Sequence, residues 1–149
     1  MILFLFLNLL LATPQRPKFL KCIKDAKLTI GEPLRLEALV SAYPPPEVKW
    51  FKDGLPVRAS SNLHVEHRPD GQLALVIDSV RPENSGIYTL AVSNKLGEVT
   101  ADAHVETERR PAKPDFVTRL FPQSVVEGFP ARFEVKATGY PAPKITWYV

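Results

Sequence analysis

From Pro17 onward, apolar and polar residues alternate with a period of two rather than 3.6. Leu34, Leu36 and Ala38 are interleaved with Arg35 and Glu37. Leu73, Leu75 and Ile77 fall on one side of their segment, and Ala74, Val76 and Asp78 on the other. Tyr88, Leu90 and Val92 alternate with Thr89, Ala91 and Ser93, and Val99 to Val105 alternates with Thr100, Asp102 and His104. Successive side chains of a strand point to opposite faces, so this period predicts strands with one buried side. Turn residues separate the runs: Gly31-Glu32-Pro33, Tyr43 to Pro46, Asp53-Gly54, Asp70-Gly71, Asn84-Ser85-Gly86 and Leu96-Gly97. Many short strands at such spacing predict a β-sandwich or barrel. No segment after residue 16 carries the pattern of an amphipathic helix.

The pattern also repeats. A shift of 97 residues places Pro17 on Pro114, Phe19 on Phe116, Gly31 on Gly128, Pro33 on Pro130, Arg35 on Arg132 and Glu37 on Glu134. The same shift places Tyr43, Pro44, Pro46 and Trp50 on Tyr140, Pro141, Pro143 and Trp147, without a gap. Leu28/Val125, Leu36/Phe133, Ala38/Val135, Val48/Ile145 and Phe51/Tyr148 keep their apolar character. A constant register is the mark of tandem units. The domains expected are 14–106, complete; 107–113, a linker; and 114–149, the first part of a second copy. That second piece lacks anything matching 53–106, so its apolar face is expected to lie open, and the chain is expected to be a fragment of a longer polypeptide.

Residues 1–13 differ from all this. Met1 to Ala12 is apolar except for Asn8. The run is shorter than the roughly 20 residues of a membrane-spanning helix and matches the apolar region of a secretory signal. However, no Lys or Arg precedes it, and Leu10 would occupy the −3 position if cleavage followed Ala12. It reads either as a signal-like segment or as a spurious start, and it is set aside from fold reasoning.

Gly31-x-Pro33-Leu34-x-Leu36-x-Ala38, the run Tyr43-Pro-Pro-Pro46-x-Val48-x-Trp50, and Phe51-Lys52-Asp53-Gly54 together resemble strands B and C of an immunoglobulin domain. Leu75-x-Ile77-x-x-Val80-x-Pro82-x-Asn84-Ser85-Gly86-x-Tyr88-x-Leu90-x-Val92-x-Asn94-x-x-Gly97 resembles strands E to G. The proline-rich loop before Trp50, the Asn94-x-x-Gly97 turn and the Pro-x-Phe starts at Pro17 and Pro114 are similar to the intermediate set. That set is common in giant muscle proteins such as titin, kettin, twitchin and obscurin. The resemblance implies an all-β immunoglobulin-like sandwich of Greek-key topology. Trp50 should fill the space between the sheets, and Tyr88 should return its hydroxyl to upstream backbone.

The family's inter-sheet disulfide would join positions 38 and 90. Those positions hold Ala38 and Leu90, and Val135 stands at the matching place in the second copy. With one cysteine in the chain, no intramolecular disulfide forms, which points to a reducing compartment. Cys22 is expected to be a half-buried, inert thiol. Asn84 stands where the family often has Asp, so no buried charge pair is expected there. Asn8, Asn62, Asn84 and Asn94 all lack the third residue of a glycosylation site.

Composition adds exclusions. Nineteen Lys+Arg against sixteen Asp+Glu leave a net charge of +3, too balanced for a nucleic-acid footprint. Fifteen prolines against seven glycines disfavour long helices. His64, Glu66 and His67 are the nearest approach to a metal cluster, but on a strand His67 faces away from the other two. Ser60, Ser61 and Ser85 have no matching base, and Arg109, Arg110 and Lys113 read as a solvated basic linker. No catalytic, cofactor-binding or metal-binding residue is expected.

The resemblance implies a non-catalytic structural and protein-binding module in the myofibrils of the cytoplasm, acting as a mechanical spacer and docking surface. Neighbouring immunoglobulin domains of the same chain, actin, myosin and Z-disc proteins are the partners it implies. Resistance to force is expected from Lys27–Ile30 held in shear against Val99–Val105. The alternative is a secreted or cell-surface adhesion protein, which the run at residues 1–12 favours and the missing disulfide and glycosylation sites oppose.

Overall fold

A computed structural model describes residues 13–149, so the segment read as signal-like or spurious lies almost entirely outside the described residues. Two compact units meet at Glu108 and Arg109. The first unit is a sandwich of two sheets. One sheet takes strands in the order β1 (Gln15–Lys21), β3 (Leu34–Tyr43), β7 (Gln72–Ile77), β6 (Leu63–His67). The other runs β2 (Ala26–Thr29), β9 (Gly97–Glu108), β8 (Gly86–Asn94), β4 (Glu47–Lys52), β5 (Leu55–Pro56). Of the sandwich or barrel expected from the alternation, the first unit is the all-β sandwich that the resemblance implies.

The core follows the period of two. Leu34, Leu36, Ala38 and Val40 of β3 face inward, as do Leu73, Leu75 and Ile77 of β7 and Tyr88, Leu90 and Val92 of β8. Trp50 lies opposite Leu90 in the β4–β8 ladder and is 6% exposed. Ala38 and Leu90, at the places of the missing disulfide, are both buried in this cluster. Each buried side chain of this size contributes roughly 1.5–3 kcal/mol, and a closed apolar cluster of fifteen buried residues stands without a covalent tie.

Two turns need glycine for different reasons. At Asp53-Gly54 both residues have positive φ, 49° and 80°, the signature of the tight hairpin turn that joins β4 to β5. At Gly71, φ is +91° and an added Cβ would lie 2.1 Å from the Val40 carbonyl oxygen. The close approach lets Val40 N–H donate to the Gly71 carbonyl at 2.9 Å.

The first strand of the sequence divides between the sheets. β1 pairs with β3; the chain then sinks Ile23 into the core and resumes as β2 alongside β9. Burying Ile23 turns its neighbours outward, so Cys22 is exposed and not half-buried as expected. The pairing of β2 also differs from expectation. It runs parallel to β9 with Ala26 opposite Val105 and Thr29 opposite Glu108, beyond the Val99–Val105 stretch. The Asp25 carboxylate accepts the His104 N–H at 2.7 Å, so the ladder begins only after that residue.

The second unit contains one hairpin, β10 (Ala112–Thr118) with β11 (Lys136–Tyr140). Its pairs are Ala112↔Tyr140, Asp115↔Thr138, Phe116↔Ala137 and Thr118↔Lys136. In the first unit β1 and β3 pair Gln15↔Tyr43, Lys18↔Ser41, Phe19↔Val40 and Lys21↔Leu39. Every pair moves by the sequence repeat, with register shifts at the same two places. Of the stretch read as a linker, Thr107 and Glu108 lie in β9, and Ala112 and Lys113 in β10.

Candidate functional site

The module that the resemblance implies would act through its strand ends and exposed faces. The C-terminal end of β9 is held from both flanks. β2 runs beside it, and Ile30 N–H donates to the Glu108 carbonyl at 2.9 Å. Lys27 Nζ lies 3.3 Å from Glu108 and 3.8 Å from Glu106; hydrogen bonding to Glu108 first, then the two nearby carboxylate charges, raises the Lys27 pKa. On the other flank the Ser85 hydroxyl accepts the Thr107 N–H at 3.0 Å and meets the Thr107 hydroxyl at 2.7 Å. Exposed ion pairs are weak, so the backbone ladder is the main holding element.

The turn before β8 fixes the other side of that end. Pro82–Asn84 forms a single 3-10 turn in which Asn84 Oδ1 accepts the Arg81 N–H. Tyr88 is fully buried, and its hydroxyl donates to the Asn84 carbonyl at 2.9 Å, as the resemblance implied. Burial raises the Tyr88 pKa, which the hydrogen bond partly offsets. The side chain of Asn84 caps the turn, a role open to Asn as well as Asp.

The contacts of two residues, Asp53 and Asn94, are not legible in the sequence. Asp53 reaches from the β4–β5 turn to the start of β8, where its carboxylate accepts the Ile87 N–H at 2.9 Å. Its pKa is lowered, first by the Lys52 ammonium and then by that N–H. An added Cβ at Gly86 would meet the Asp53 carboxylate at 2.6 Å, so the two turns interlock. At the opposite pole, Asn94 Nδ2 donates to the Gln15 carbonyl at 2.8 Å and to the Pro44 carbonyl at 3.3 Å, while its Oδ1 accepts the Leu96 N–H at 2.9 Å. The Asn94-x-x-Gly97 turn thereby fastens the start of β1 and the proline-rich loop. The signal was the motif itself; its partners lie too far away in sequence to be named from it.

The candidate metal residues are otherwise employed. His64 and Glu66 do share a face, 3.8 Å apart, but both Glu66 oxygens accept from the Arg35 guanidinium, at 3.2 and 2.9 Å. Arg35 also bonds Glu37, which in turn takes Lys21 at 3.3 Å. Arg35 holds the pKa of Glu66 and Glu37 below the ordinary carboxylate range. The small Ala74, opposite both Glu37 and Glu66 in the ladders, is buried though it faces outward. Among the described residues no cluster of three His, Cys, Asp or Glu could hold a metal ion. Ser85 bonds Thr107, and the Ser60 hydroxyl accepts the Asn62 N–H. In the second unit Arg109 sits 5.8 Å from the centroid of the Tyr140 ring.

Residues 17–107 match the family model of the immunoglobulin I-set domain. The chain belongs to the immunoglobulin I-set family. Among curated relatives, palladin from Rattus norvegicus is 31% identical over 134 residues, 89% of this chain and 22% of palladin. The muscle M-line assembly protein unc-89 from Caenorhabditis elegans is 30% identical over 135 residues, 90% of this chain and 2% of unc-89. The chain therefore spans under a quarter of these relatives. Among solved structures, the titin M3 domain has a TM-score of 0.62 at 34% identity, covering 65% of this chain and all of the titin domain. Titin domains z1z2, solved in complex with telethonin, have a TM-score of 0.67 at 33% identity, covering 87% of this chain and 66% of that one. This I-set domain is thus homologous to domains of muscle and cytoskeletal proteins.

Proposed function

We propose that the chain is a non-catalytic structural and protein-binding segment of a titin- or kettin-like sarcomeric filament protein. Residues 14–106 act as a mechanical spacer and docking surface, and 114–149 are the first part of a second I-set copy. Neighbouring immunoglobulin domains, actin, myosin and Z-disc proteins are its partners, in the cytoplasm at the myofibril. The relatives unc-89 and titin support this placement.

One observation carries the reading: the parallel pairing of β2 with β9, the last strand of the first unit. Tension applied at the two ends of the first unit pulls β2 and β9 along their axes in opposite directions. Their hydrogen bonds are then loaded together in shear rather than opened one at a time. The test is single-molecule pulling on residues 13–108. Ile30→Pro removes the N–H that reaches Glu108 and is expected to lower the peak force more than Tyr88→Phe, whose bond lies outside the β2–β9 ladder. Equal losses of force in the two variants would contradict the spacer role.

A further inference from the structure

Residues 57–62 carry the chain from β5 in one sheet to β6 in the other. Both ends of this crossing are tied. The Val57 N–H donates to the Trp50 carbonyl at 2.9 Å. At the far end Asn62 Nδ2 donates to the Ser79 carbonyl at 2.9 Å, and Asn62 Oδ1 accepts the Ser79 N–H at 3.0 Å. Between the ties, Arg58 and Ala59 are exposed and enter no backbone hydrogen bond among the described residues. Ser60 to Leu63 then close a four-residue turn. The Ser60 N–H donates to the Leu63 carbonyl at 2.8 Å, and the Leu63 N–H returns to the Ser60 carbonyl at 3.4 Å. Ser61 stands at the tip of that turn, exposed.

The two hydroxyls of the turn differ. Ser60 Oγ accepts the Asn62 N–H at 3.2 Å, whereas the Ser61 hydroxyl makes no hydrogen bond among the described residues. Arg58 precedes Ser61 by three residues, and no other Ser or Thr of the chain has Lys or Arg at that place. Arg35, Arg68 and Arg81 each meet a glutamate, but Arg58 meets no carboxylate among the described residues. Residues 57–62 contain no Asp or Glu. An unengaged hydroxyl and an unpaired guanidinium thus share one exposed loop.

We infer that Ser61 is a phosphorylation site for a protein kinase that reads an arginine three residues before the acceptor. Carboxylates of such an enzyme bind the Arg58 guanidinium, which sets this serine apart from Ser60 by charge pattern. Only the Ser60–Leu63 turn has to open for the segment to extend, a local event. The Ser61 Oγ attacks the γ-phosphorus of ATP. The new Oγ–P bond forms as the bond from that phosphorus to the bridging oxygen breaks, ADP leaves, and the hydroxyl proton passes to a base of the kinase. The product brings a charge of about −1.5 to −2 to a loop whose one charged residue is Arg58. The inference takes from the proposed function only the cytoplasmic supply of ATP.

The test incubates the folded full chain with ATP, magnesium and a purified kinase of this arginine preference, then locates the phosphate by mass spectrometry. One phosphate per chain, on Ser61, is expected, with the far-ultraviolet circular dichroism unchanged. Ser61→Ala should abolish incorporation. Arg58→Ala should lower kcat/KM at least about tenfold, Arg58→Lys should recover part of that loss, and Arg81→Ala should change nothing. Phosphate on Ser60 instead, no incorporation, or an unchanged rate in Arg58→Ala overturns the inference. Incorporation into a Trp50→Ala chain but not into the unaltered one has the same meaning, because the folded turn is then closed to the enzyme. Failure of the cytoplasmic placement looks different: the purified chain is still modified on Ser61, while chain recovered from outside cells carries no phosphate.

Discussion

Trp50 and Trp147 hold equivalent places in two copies of one pattern, yet one is enclosed and the other is open. The local sequence around each keeps the same pattern, with Tyr, Pro, Pro and Trp at matching places, and the hairpin before each matches pair for pair. The strands facing them differ. An apolar stripe states which side of a strand seeks cover, and it takes a second sheet to supply the cover. The hairpin alone, with no more than two strands, is marginal in water.

The largest expected effect separates the two tryptophans. Trp50→Ala should cost about 3–5 kcal/mol in denaturant unfolding, while Trp147→Ala should leave the main transition in place. A loss below about 1 kcal/mol at Trp50 would mean that the core has another anchor. The next compares two glycines with similar φ, +91° at Gly71 and +89° at Gly128. Gly71→Ala meets the Val40 carbonyl and should cost roughly 3 kcal/mol. Gly128→Ala meets nothing within 4 Å and should not move the main transition. Asn94→Ala, which releases the start of β1 and the proline-rich loop, should cost about 1–2 kcal/mol by urea titration.

The smallest effect concerns acid. Arg35 lowers the pKa of Glu66 and Glu37 on folding. The unfolded state therefore binds protons more readily, and the stabilisation is complete above the ordinary value of 4.5. It is lost as pH falls through the lower folded values. Thermal midpoints measured from neutral pH down to pH 3 should fall less steeply below that point in Arg35→Ala than in the unaltered chain. Parallel curves would show that the pairs contribute nothing measurable, as many surface pairs do.

Much of the fold is legible in the sequence. The period of two assigned the inward faces of β3, β7 and β8, and dipeptides such as Asp53-Gly54 placed the turns. Trp50 and Tyr88 behaved as the resemblance implied. What escaped was long-range and register-dependent. The strand opposite β2 was named correctly, but its register was not: Lys27 lies opposite Glu106, beyond Val105, and the Asp25 carboxylate on the His104 N–H marks where the ladder starts. The exposure of Cys22 depends on Ile23 being drawn inward as the chain changes sheets. Alternation put Arg35 and Glu37 outside, and only the order β3-β7-β6 brings Glu66 to them. Asn94 stood within a recognised motif, yet its contacts reach back to Gln15.

The partnership of β2 with β9 also sets a timetable for synthesis. A ribosome delivers β2 early and must add the whole of β3 to β8 before the residues opposite it, Val105 to Glu108, emerge. Until then the first sheet can assemble from β1, β3, β7 and β6, but β2 has no backbone partner in its own sheet. Such distant pairing slows folding and prolongs the exposure of sticky intermediates. The nascent chain is therefore most vulnerable just before Glu108 clears the exit tunnel, with the basic pair Arg109-Arg110 directly behind it. The first unit therefore seals only as the residues of the second unit begin to appear.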